Sequence, residues 1–162
     1  MDEGLPEGRL NGPAAFASLV RDLFGQAERL GLSHIRLCDP DFAGWPLGER
    51  PLVDDLTRWA LAGGRLQMLG RDYRHLRLHA PRFVDWRRHF DHRFEARVLP
   101  RGEGESSRIG ILTSDWVAIA LDRPHAVWVS TSDRTMRAQM KQEWDSIWPV
   151  SSRGFPATTL GL

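Results

Sequence analysis

Four short groups of residues in this chain have the types and spacing that chemistry needs. Asp39 and Asp41 stand two apart, directly after the apolar run 34–38. Ligands of open parallel sheets bind outside the carboxyl ends of strands, so this is the best-placed acidic pair. Two carboxylates there suit a magnesium ion, or one serves as an aspartyl nucleophile in a phosphohydrolase. The same Asp-Pro-Asp also reads as an Asx-type turn that closes a strand and does nothing more. His75 and His79 are four apart, and His89 and His92 are three apart. Both spacings align side chains on one helix face, which is how zinc ligands are presented. Leu76, Arg77 and Leu78 lie between the first two, so the glutamate base of a zinc protease is absent, and exposed histidines on a basic helix account for the pattern as well. Arg82, Arg87 and Arg88 surround Trp86, mixing cations with an aromatic as phosphate and single-stranded nucleic-acid surfaces do. Arginines paired with Asp85 and Asp91 on a solvated helix give the same composition.

The elements that position these groups follow from periodicity. Apolar residues at Phe16, Leu19, Val20, Leu23, Phe24 and Ala27 recur at helical spacing, with Pro13 suited to the first turn and Gly31 to the stop. A short strand over 33–38 follows, then a Gly/Pro loop, then a helix from Pro51 ended by Gly63-Gly64, then a strand over 65–69. Strand, helix, strand with short joins predicts a right-handed parallel crossover. A helix from Pro81 and a strand over 94–99 complete a second one. Three short apolar segments, 108–113, 116–121 and 126–131, read as antiparallel strands, and Met136, Met140, Trp144 and Ile147 form one stripe of a closing helix that Pro149 stops. Trp116, Trp128, Trp144 and Trp148 fall where aromatics pack a core. The expected fold is α/β, with a mixed, largely parallel sheet flanked by helices. Residues 1–12 are expected to be flexible, 13–149 to form one domain, and 150–162 to extend as a tail.

Length and composition agree with one globular domain: 162 residues, 41% hydrophobic and 27% charged. Cys38 is the only cysteine, so it has no partner for an intrachain disulfide and reads as a small buried hydrophobe. With no basic leader, no apolar run near the roughly 18 residues of a membrane span and no disulfide, a cytoplasmic protein without cofactor is expected. Net charge is +1, yet residues 71–101 hold nine arginines against four acids. That basic segment makes anions candidate partners.

The stretch Arg108-Ile109-Gly110-Ile111-Leu112-Thr113-Ser114-Asp115, set in the late strands, resembles the His-x-Lys-x4-Asp signature of the phospholipase D superfamily. Asp115 matches, while Arg108 stands in place of the histidine and Gly110 in place of the lysine. The order of elements from 32 to 149 is similar to one half of such a protein, and the chain resembles small bacterial proteins of this degenerate kind. The resemblance implies a half-domain that forms no phosphohistidine, and a homodimer that pairs two halves. Arg108 would keep a charge fit for phosphate, with Asp115 beside it in the motif. Three functions are carried forward: a non-catalytic domain binding a phosphate-bearing anion, nucleic acid or protein; a magnesium-dependent phosphohydrolase using Asp39 and Asp41; and a pure protein-interaction module.

Overall fold

A computed structural model describes residues 4–100 and 109–156. Its strands are β1 (Gly8–Asn11), β2 (His34–Cys38), β3 (Arg65–Gly70), β4 (Phe94–Val98), β5 (Gly110–Leu112), β6 (Val117–Asp122), β7 (Val127–Thr131) and β8 (Ser152–Gly154). Among the described residues they form one sheet in the order β1-β7-β6-β5-β2-β3-β4-β8. The helices are α1 (Pro13–Ala27), α2 (Arg50–Leu61), α3 (Arg74–His79), α4 (Pro81–His89) and α5 (Arg134–Ile147).

The two predicted crossovers are present: β2 pairs with β3, and β3 with β4, in parallel. The expectation that the sheet as a whole is largely parallel is corrected. The other five pairings are antiparallel, because hairpins join β5, β6 and β7, and short segments add at both edges. Gly8–Asn11, expected to be flexible, adds as β1 alongside β7, held further by Trp116 Nε1 and Ser130 Oγ donating to Pro6 O at 2.8 Å each. Ser152–Gly154, placed in the tail, completes the opposite edge against β4.

Strand alternation divides the core. Ile35, Leu37, Leu66, Met68, Phe94, Ala96, Ile111 and Ala118 point to one face, where the apolar stripes of α1, α2 and α4 cover them. Each Leu, Ile, Met or Phe among them contributes roughly 1.5–3 kcal/mol on burial. Gly63 takes φ 107, and a Cβ at Gly64 would lie 2.1 Å from the Trp59 ring, so this pair both ends α2 and lets the buried indole pack under β3. On the other face, Cys38, Leu69, Leu112, Val117 and Ile119 meet Met140 and Trp144 of α5. That single helix leaves part of its face open, and the open part carries His34, Arg36, Arg65, Gln67 and Glu95.

Candidate anion-binding site

Asp39 follows β2 with 1% exposure. Its Oδ2 accepts from the backbone N–H groups of Asp41 (3.2 Å) and Phe42 (2.7 Å), which is the Asx-turn arrangement. Arg123, in the β6–β7 turn, then donates Nε to Asp39 Oδ1 and Nη2 to Oδ2, both at 2.9 Å, and Nη2 also reaches Asp41 Oδ1 at 2.6 Å. Donating these hydrogen bonds to Asp39 holds the guanidinium above its ordinary pKa. A cation thus already occupies the position that a magnesium ion would take between the two carboxylates. Among the described residues no group of three or more His, Cys, Asp or Glu side chains is arranged to hold a metal ion. His75 and His79 do meet on α3, with ring centroids 4.6 Å apart.

The Arg82–Arg88 group divides. Trp86 is core, stacked on Phe90, and its indole nitrogen has no hydrogen-bond partner among the described residues. Arg87 turns inward, donating Nε to Phe155 O at 2.8 Å, pairing with Asp91 and lying 4.7 Å over the Phe94 ring. Arg82 and Arg88 face solvent, the latter 3.4 Å from Asp85. Their helix lies on the sheet face opposite α5, so the structure does not bring them to the late hairpin.

Arg108 lies outside the described residues. Gly110 opens β5 opposite Cys38, and a Cβ there would sit 2.5 Å from Ala118 O and 2.8 Å from Met140 Cε. A lysine at that position has no room. Asp115 is exposed in the β5–β6 turn, its N–H donating to Thr113 Oγ1 at 3.4 Å. Because β5 runs antiparallel to β2, this turn lies at the end of the sheet opposite Asp39.

Beside that turn is a cavity of about 380 Å³ between the start of β2, the end of β5 and the first half of α5. His34, Arg36, Arg134, Arg137 and Lys141 bring the charge, and Ser33, Thr113 and Ser114 bring hydroxyls. No carboxylate lines it among the described residues. The Arg134 side chain has no hydrogen-bond or ion-pair partner among the described residues. Arg137 is preorganised by donating to Ser132 O and Ser114 O, each at 2.9 Å. Arg36 bonds Gln67 Oε1 at 3.0 Å and lies 5.9 Å over the Trp144 ring. Lys141 pairs with Asp145 on the outer side of the helix. Desolvation, with Arg36 and Arg65 nearby, holds the His34 imidazole below its usual pKa. The α5 N-terminus is already capped, since Asp133 accepts from Met136 N, so the positive field comes from side chains. Crowded cations, of which Lys141 alone has a carboxylate partner among the described residues, favour an anion with several oxygens, above all phosphate.

Sequence reasoning missed this cluster. Its legible signal is the stripe Arg134, Arg137, Lys141, at i, i+3, i+7, which holds the chain's only lysine.

No family model and no curated protein matches this chain. Solved structures match its fold. The archaeal chromatin protein TrmBL2, described as showing a novel mode of DNA binding, has a TM-score of 0.64 at 18% identity over 90% of this chain, which spans 53% of that protein's length. Nuc, a phospholipase D family member from Salmonella typhimurium, has a TM-score of 0.62 at 9% identity, covering 92% of this chain and 99% of Nuc. Polyphosphate kinase from Porphyromonas gingivalis gives 0.62 at 10%, over 89% of this chain and 26% of the kinase. The fold is phospholipase D-like, similar to Nuc over nearly the whole length of that protein.

Proposed function

We propose that this domain binds nucleic-acid phosphates without turning them over, at the cavity between β2 and α5. The observation that carries this reading is one cavity walled by Arg36, Arg134, Arg137 and Lys141 with no acid in its lining among the described residues. Phosphate neutralisation by such groups supplies most sequence-independent affinity for nucleic acid. Two further observations support it. A fold neighbour is described as binding DNA. The crowding at Gly110 leaves no place for the lysine that the phospholipase D signature uses to stabilise a phosphoryl group.

The phosphohydrolase reading is less well supported, because Arg123 neutralises both Asp39 and Asp41. Anisotropy titration of a labelled 12-nucleotide oligomer tests the proposal: Arg134→Glu weakens binding at least tenfold, and no phosphate or nucleotide is released. Equal binding by wild type and variant, or turnover by the wild type, overturns it.

A further inference from the structure

The β2–α5 cavity does not end at β2. A second cavity, of about 530 Å³, is lined on the next strands by Arg65, Gln67, Glu95 and Arg153, and is closed at the sheet edge by Arg87 of α4 and by Asp91, His92 and Arg93 of the turn before β4, where Asp91 is paired with Arg87. Register joins the two: His34 stands opposite Arg65, Arg36 opposite Gln67, Gln67 opposite Glu95, and Arg97 opposite Arg153. Arg36, which lines the first cavity, is hydrogen-bonded to Gln67, which lines the second.

We infer that the two cavities form one track for a single nucleic-acid strand, crossing the sheet from the α5 end at β5 to β8 at the far edge. This rests on the phosphate-binding reading above and names the class of nucleic acid that fits. The track crosses four inter-strand spacings, about 19 Å, long enough for several nucleotides.

Charge is graded along it. The α5 end is lined by cations and hydroxyls, with no carboxylate in the lining among the described residues. In the middle and at the far end the side chains of Arg65 and Arg153 have no hydrogen-bond or ion-pair partner among the described residues, and the Arg93 side chain donates there only to Gly63 O, at 3.3 Å. Two groups on the floor are different in kind. Gln67 offers an amide, and Glu95, held at 2.8 Å by Arg97 Nε, keeps lone pairs free to accept further hydrogen bonds. A carboxylate repels phosphate but accepts from the amino groups of cytosine or guanine. Arginines at both ends with hydrogen-bonding groups between them match a strand whose phosphates follow the cations and whose bases turn down onto the sheet. A duplex keeps those base edges paired and sets a second row of phosphates against Glu95.

The test uses the full chain and oligonucleotides of 2, 4 and 8 nucleotides, single-stranded and, for the longest, as a duplex with its complement. Arg93→Gln combined with Arg153→Gln changes side chains at the far end of the track, away from His34 and α5. The double variant is expected to weaken the single-stranded 8-mer at least tenfold while leaving the dinucleotide, which needs only the α5 end, unchanged. The duplex is expected to bind more weakly than the single strand. If the double variant binds the 8-mer as wild type does, or the duplex binds better, the track is overturned while phosphate binding at α5 stands. If no oligonucleotide binds, both readings fall.

Discussion

The Arg123 guanidinium holds the Asp39 carboxylate through two 2.9 Å bonds across 84 residues of chain, and reaches Asp41 with the same Nη2. It thereby fastens the β6–β7 turn to the end of β2. Asp39 is buried, so removing its partner strands a charge away from water. Arg123→Ala is expected to destabilise the fold by about 3 kcal/mol. Arg123→Lys, which keeps the charge and loses the planar fork, is expected to cost about 1–2 kcal/mol. Urea unfolding midpoints measure both, and a shift near zero for Arg123→Ala contradicts the role of the clamp.

Gly110 carries the second prediction. The nearest obstacle to a Cβ is Ala118 O, a backbone atom at 2.5 Å, and Met140 Cε follows at 2.8 Å. Gly110→Ala is expected to destabilise by about 1–3 kcal/mol through overpacking. Met140→Ala in the same chain relieves one contact and leaves the backbone clash, so it is expected not to rescue the variant. Gly110→Lys is expected to disrupt β5 without creating phosphodiesterase activity. Thermal melting and a generic phosphodiester assay measure these outcomes.

Burial pushes the Cys38 thiol up to about 12. Between the ordinary thiol pKa of about 8.5 and that value, the folded protein keeps a proton that the unfolded chain releases, so stability falls as pH rises through this window. From pH 8 to pH 10 the loss due to Cys38 is expected to reach about 2 kcal/mol. In Cys38→Ala that share of the alkaline loss disappears, although Tyr73, also raised by burial, keeps a part at higher pH. Urea unfolding at the two pH values checks this, and an identical alkaline loss in wild type and Cys38→Ala contradicts it. Below pH 8 the thiol is expected to stay unreactive until the chain is unfolded.

His34 gives the ligand site a pH dependence. Desolvation and the charges of Arg36 and Arg65 hold its pKa below the usual imidazole value, and a bound phosphate opposes that shift. Binding therefore takes up a proton. Oligonucleotide affinity is expected to rise as pH falls from 7.5 toward 5.5, and His34→Gln is expected to flatten the profile. Parallel profiles for the two proteins contradict this coupling.

How much of this was legible in the sequence depended on the range of the interactions. The Pro13 start and the apolar stripe of α1, and the strand–helix–strand order of β2, α2 and β3, are local signals, and they correspond to what the structure contains. The edge strand β1 has only Leu10 as a large apolar residue, so neither alternation nor propensity marks it; β7, more than 100 residues away, makes it a strand. The Asp39 turn is readable as an Asx turn, but Arg123 falls between the apolar segments 116–121 and 126–131, and nothing local in the sequence pairs it with Asp39. The anion cavity draws on residues 33–36, 113–114 and 134–141, which only β2–β5 pairing and the docking of α5 bring together. The nine arginines of 71–101 were misleading for the same reason. Composition gathers them, while the structure sends Arg87 inward, pairs Arg74 with Asp72, and sets Arg82 and Arg88 on the face away from α5.

Salt dependence of single-stranded oligonucleotide binding tests the central claim most directly. The logarithm of affinity is expected to fall linearly with the logarithm of salt concentration, at about 0.7 per phosphate contacted, and Arg134→Ala with Lys141→Ala is expected to reduce that slope by about 1 or more. Binding that ignores salt, or a slope that the double variant leaves unchanged, contradicts a phosphate site at α5.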